Sequence, residues 1–247
     1  MKVKFTVSYD GTQFKGYQVQ PKQRTVQAEL EAALARMHKQ IEPIPVVASG
    51  RTDSGVHAKG QVVHFQTPLT IPMEKWPFAL NSLLPDDIRI LKAEKVDDSF
   101  HARFSVVSKE YRYVVSTEKH QNVFTRHYAC HYPYELNMEL MREACSYLIG
   151  THDFTSFCAA NTEVEDKVRT IYALEWLYSS DGLEMRVRGN GFLYNMVRII
   201  AGTLLEIGTG KFRPEEVKQM LAARNREAAG KTAPSHGLYL WEVFYDN

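Results

Sequence analysis

From Lys2 to Tyr9 the chain alternates, with Val3, Phe5, Val7 and Tyr9 on one side and Lys2, Lys4, Thr6 and Ser8 on the other. That is the period of a half-buried strand. After Thr25, a residue suited to capping, the period lengthens. Val26, Leu30, Ala33, Leu34 and Met37 fall at helical spacing, which predicts a helix covering one face of a sheet. Alternation returns at Gln61 to Gln66, Lys75 to Leu84 predicts a short helix ending at Pro85, and Ile88 to Val96 predicts a strand. The second half repeats the mixture. Val107 to Ser116 predicts a strand, with Lys109, Tyr111, Tyr113 and Val115 on one face, and Leu136 to Leu148 a helix closed by Gly150. Thr170 to Tyr178 and Leu183 to Arg188 predict paired strands joined at Ser180-Asp181-Gly182. Two more helices follow, one within 192–207 and one within Lys211 to Asn225 with Pro214 near its first turn, before a last strand at Leu238 to Tyr245.

Strands interleaved with helices predict an α/β or α+β sandwich and exclude a helical bundle. The irregular stretch Asp97 to Ser105 reads as the passage between two domains, 1–105 and 106–247. The N-terminal strand is too polar for a signal segment, and no apolar run approaches membrane-spanning length. A cytoplasmic protein is therefore expected. Cys130, Cys145 and Cys158 are too few and too scattered for a disulfide framework. His127, Cys130 and His131 lack a second pair at zinc-like spacing, so no metal is expected. Net charge is +1, with 14 basic against 11 acidic residues in 1–105 and 16 against 18 beyond. Binding to a polyanion would have to come from a local patch.

The densest chemistry lies in Gly50-Arg51-Thr52-Asp53-Ser54-Gly55-Val56-His57-Ala58, between two strand-like runs. Glycines there permit tight turns, and a loop fixed between strands is a common seat for a nucleophile or base. Asp53-Ser54-Gly55 also fits an ordinary surface turn. The second unusual feature is Arg198, set in a helix that is apolar nearly all round. Buried, it requires an anionic partner or a water-filled cleft; near a surface, it would snorkel. Phe14 to Pro21 reads either as a stacking surface or as a loop pinned by Phe14 and Tyr17. His101 and Arg103 are possible phosphate contacts, His64 belongs to a strand face, and the adjacent His152-Asp153 is weak as a dyad.

Six segments in order, YDGTQFKGYQVQP with TVQAELEAAL, GRTDSGVHA, SKEYRY, GTHDFTSF, GNGFLYNMVRIIAGTLLEIG and TAPSHGLYLWEV, make the chain resemble the TruA-type tRNA pseudouridine synthases over essentially its whole length. One departure is Tyr17, where that family commonly carries tryptophan. The resemblance implies two α/β-sandwich domains, each on a largely antiparallel sheet, with a positively charged active-site cleft between them. It implies Asp53 as the catalytic residue, Arg198 as the partner of its carboxylate, Tyr111 lining the substrate base, Arg51 holding the flipped nucleotide and Leu238 at the pocket. It further implies a homodimer acting on tRNA uridines 38 to 40 in the anticodon stem-loop, with no cofactor and no membrane. Two rivals remain from the residues alone: an aspartate-histidine hydrolase using Asp53 with His57 or His64, and an RNA-binding module without chemistry. The hydrolase lacks an oxyanion or metal signature.

Overall fold

Strand β1 (Lys2–Tyr9) alternates half-exposed and buried residues without a break, as its sequence predicts. It is followed by α1 (Val26–Met37), β2 (Val47–Ala48), β3 (His57–Gln66), α2 (Trp76–Asn81) and β4 (Ile88–Val96). Beyond these come β5 (Val106–Ser116), β6 (Cys130–His131), α3 (Met138–Leu148), β7 (Gly150–Asp153), β8 (Val168–Ser179) and β9 (Gly182–Gly189). The last elements are α4 (Met196–Gly208), α5 (Glu216–Ala223) and β10 (Leu238–Tyr245). This computed structural model describes residues 1–162, 164–180 and 182–246. Asp181 of the expected β8–β9 turn lies outside them. No helix among the described residues is long and apolar enough to cross a membrane.

The chain forms two compact units, one of Met1–Val107 with the segment from Tyr239 onward, the other of Ser108–Leu238. In the first, β1 pairs antiparallel with both β3 and β4, setting Phe5 opposite Val63 and Ala93. On the side of β3 away from β1, β2 pairs antiparallel at Val63 and His64 and β10 joins in parallel, with Tyr239 opposite His57. The inward side chains of these strands meet α2. Phe5, Phe65 and Trp76 form a tilted aromatic cluster with ring centroids 4.9 to 5.7 Å apart. Thr25 caps α1 as its sequence predicts, its Oγ1 accepting from the Ala28 N–H at 3.4 Å.

In the second unit β9 lies between β5 and β8 and β7 adds to β8, all antiparallel. Tyr111 stands opposite Val187 and Tyr113 opposite Met185. α4 is buried at every position except Arg198. It starts at Met196, later than the apolar run suggests, because Asn195 takes a left-handed conformation, φ 61°. Asparagine tolerates that region better than most residues, and it breaks the run of helical dihedrals there. α3 is capped by Asn137, whose Oδ1 accepts from the N–H groups of Glu139 and Leu140.

Candidate active site

The loop between β2 and β3 is built from the backbone outward. The Val56 N–H donates to the Asp53 carbonyl at 3.1 Å, closing a four-residue turn in which Gly55 has φ 78°. A positive φ at that place is what a type II turn demands, and glycine meets it without strain. The loop is tied to the neighbouring segment 11–17 by main-chain bonds. Tyr17 N–H donates to Thr52 O at 3.0 Å and Gly55 N–H to Phe14 O at 3.3 Å. Approach here is so close that a Cβ on Gly11 would sit 2.1 Å from Val56 O, and one on Gly16 2.9 Å from Thr52 O.

Buried side chains complete the brace. Gln61, fully buried, accepts from the Ser49 hydroxyl at 2.7 Å and donates to Gly50 O at 2.9 Å. The hydroxyls of Tyr9 and Thr52 lie 2.8 Å apart. Burial pushes the Tyr9 phenol up to about 12, so it stays protonated. Arg24 anchors the other side of the 11–17 segment. Its guanidinium takes Asp87 in a two-point grip at 2.6 and 2.9 Å, reaches Glu29 at 2.9 Å and lies 4.2 Å over the Phe14 ring. Hydrogen bonds to Asp87 hold that guanidinium above its ordinary pKa. Phe14 and Tyr17 are both buried, so the segment is a pinned loop rather than an open stacking surface. The product is a rigid loop that presents Asp53 half-buried, between buried Thr52 and exposed Ser54, with Arg51 exposed two residues earlier.

In the second unit Tyr111 is buried on β5 and meets the Phe192 ring edge-on, centroids 5.2 Å apart. Arg198 is half-buried rather than enclosed. Its Nε donates to Ala233 O and its Nη1 to Asn195 Oδ1, both at 2.8 Å. The left-handed Asn195 that delays α4 therefore also holds the arginine. The Tyr113 hydroxyl donates to Pro234 O at 2.8 Å, and Gly237 packs so tightly that a Cβ there would lie 2.8 Å from Val114 O. Segment 233–237 is thus pinned between Arg198 and β5, and buried Leu238 follows directly on it. Asp53 and Arg51 belong to the first unit, and Tyr111, Arg198 and Leu238 to the second.

Other candidate residues are committed elsewhere. His57 is buried, its Nδ1 accepts the Gly11 N–H at 3.0 Å with Asp10 Oδ1 at 3.2 Å, and its ring stacks on Tyr239 at 4.8 Å. Such an imidazole fixes a turn. His64 Nδ1 accepts from Ala102 N–H at 3.1 Å, and burial, with His101 and Lys2 nearby, pulls its pKa down to about 4. His152 and Asp153 stand on strand β7 and point to different partners. His152 Nε2 meets Ile149 O at 3.0 Å, whereas Asp153 takes the Thr155 hydroxyl and Arg224. Sequence reasoning missed Gln61, Thr52, Arg24 and Asp87 as braces. For Gln61 a signal existed: an amide beside two valines on a strand needs an internal partner.

A family model described as tRNA pseudouridine synthase matches residues 6–105 and 144–246. A protein named tRNA pseudouridine synthase A from Bacillus pumilus is 83% identical over 247 residues, covering 100% of both chains. One of the same name from Bacillus subtilis is 69% identical over the same span, again covering 100% of each. Among solved structures, the Crystal Structure of a Cbf5-Nop10-Gar1 Complex aligns with 98% of this chain and 59% of its own at 10% identity and a TM-score of 0.36, too loose a likeness to carry an argument.

Proposed function

Because the chain belongs to the tRNA pseudouridine synthase family, we propose that it isomerises uridine to pseudouridine in tRNA with Asp53 as its catalytic carboxylate. The observation that carries this reading is the loop itself. A half-buried aspartate on a turn locked by main-chain bonds and buried hydroxyls is a group held still for chemistry. The reaction breaks the bond from uracil N1 to C1′, turns the base and joins C5 to C1′. The proton on C5 is lost and N1 gains one, so nothing is added overall. A uridine stacked in a stem is out of reach and has to be extruded, at a cost of a few kcal/mol.

In this reading Asp53 acts on the flipped nucleotide as an ionised carboxylate, either by covalent attack or by taking a sugar proton. Arg198 supplies the cation that favours ionisation, since an opposite charge nearby stabilises a carboxylate. Tyr111 offers its ring to the base, Leu238 an apolar wall, and Arg51 a cation for the backbone of the extruded nucleotide. The target uridines are those at positions 38 to 40 of the anticodon stem-loop, and the protein works as a homodimer in the cytoplasm. These assignments are supported by the family motifs at the same positions of this chain.

Tritium release from tRNA labelled at uridine C5 tests the reaction. Wild-type protein should release tritium, and pseudouridine mapping of the product should place it at 38 to 40. Asp53→Asn should release none while still binding tRNA, and turnover by that variant would remove Asp53 from the chemistry. Arg198→Met should lower turnover, and a normal rate in that variant would dismiss the pairing.

A further inference from the structure

Between β5 and β6 the chain makes a 13-residue excursion, Thr117 to Ala129, with neither helix nor strand of its own. Its ends are held together. β6 pairs with the end of β5, Val115 opposite Cys130 and Ser116 opposite His131, and His131 Nε2 meets Glu118 O at 2.9 Å. Within it, Thr125 O takes the Tyr128 and Ala129 N–H groups, and Asn122 Oδ1 takes the Phe124 N–H. Compact loops with closed ends are commonly functional. This one presents Phe124, 85% exposed, and beside it runs a groove of about 900 Å³ bordered by Lys119, Tyr134 and Tyr178. Tyr134 and Tyr178 are themselves 61% and 73% exposed. So much aromatic surface held in water on and around an ordered loop calls for a partner.

We propose that this loop and its groove form a second RNA-contact surface, which takes nucleotides of the tRNA away from the uridine being isomerised. Phe124 stacks on a base, while Lys119 and Arg126 meet phosphates. The inference rests on the tRNA reading above. Aromatic faces interleaved with cations are the chemistry that holds RNA without strict sequence choice, and protein partners have less use for exposed lysine beside exposed phenyl. Arg126 is exposed and its guanidinium also donates to Val123 O, which keeps it on the loop surface. Glu118 and Glu135 line the groove beside Lys119, so the cations for phosphates are Lys119 at its edge and Arg126 on the loop. The loop starts just past Ser116, five residues along β5 from Tyr111. That is about 17 Å of strand, several nucleotides of RNA from a base lying on Tyr111.

The test compares Phe124→Ala and the Lys119→Ala, Arg126→Ala pair with wild type on full-length tRNA, with circular dichroism melts to show that each folds. Each variant should raise KM about tenfold with kcat kept. In the Asp53→Asn background the paired variant should also lower the slope of log Kd against log salt by about 1 to 2. Unchanged KM, Kd and salt slope, with wild type turning over tRNA, would overturn this inference and leave the tRNA reading intact. A wild-type protein that turns over no tRNA removes both. A shift from dimer to monomer in light scattering would make the surface an interface between copies, and overturn it as well.

Discussion

Tyr9 and Thr52 share a hydrogen bond of 2.8 Å between their hydroxyls, both buried, one residue before Asp53. The bond runs from a strand of the sheet to the loop, so it sets where the loop begins. Tyr9→Phe leaves the ring in place and deprives the Thr52 hydroxyl of its partner. The expected loss is about 1 kcal/mol in a urea titration. Turnover should fall more than tRNA affinity, and an equal change in both would mean that the bond serves stability alone.

Gly11 is required by contact, not by dihedral angle. Gly11→Ala places a carbon 2.1 Å from Val56 O, where backbone has to move. We expect a loss of about 3 kcal/mol or more. Gly210 is the control, with φ 78° and nothing within 4 Å of a built Cβ. Gly210→Ala should cost only about 1 kcal/mol of left-handed strain. Thermal melts of the two variants would show whether crowding outweighs conformation.

Tyr17 carries a buried hydroxyl with no hydrogen-bond partner among the described residues. Burial raises its pKa well above the ordinary phenol value, so it remains neutral. Tyr17→Phe removes the desolvated group and keeps the ring packed near Tyr9, centroids 6.5 Å apart. The variant should be as stable as wild type or more so by about 1 kcal/mol. A lowered denaturation midpoint would mean that the hydroxyl has work to do.

His64 makes stability depend on pH. Its folded pKa, about 4, lies below the unfolded value of 6.5. The unfolded chain therefore binds the proton first. The contribution is fully present above pH 6.5 and is lost as pH falls toward 4, up to about 3 kcal/mol. Urea midpoints at pH 7, 5.5 and 4.5 should fall in wild type and fall less in His64→Gln. Parallel curves would assign the acid sensitivity to other groups.

Local patterns were legible where a single element answers to its own period. Lys2–Tyr9 reads off its alternation, and Thr25 announces α1. The central loop was legible as a turn because Gly55 follows Asp53 and Ser54. What holds the loop was not: Gln61 reaches back to Ser49 and Gly50 from β3, and Arg24 with Asp87 steadies Phe14 in the 11–17 segment against which the loop is tied, contacts that no local period encodes. Nor does any local period reveal that β10 adds in parallel to β3, since partner choice depends on which sheet edge is open. Arg198 was picked out by contrast with its apolar helix. Its hold on Asn195 and Ala233 depends on a left-handed residue and a strap 35 positions away, neither of which a hydrophobic pattern encodes.

The course of the Asp53 turn is set by amide and carbonyl groups, from Tyr17 to Thr52, Gly55 to Phe14 and Val56 to Asp53. Under the function proposed above, shape and reactivity are thereby written in different parts of the same residues. Replacing the carboxylate should silence the enzyme yet leave a faithful cast of its working surface. Such a silenced protein is the natural bait for capturing the RNA it prefers in a cell extract.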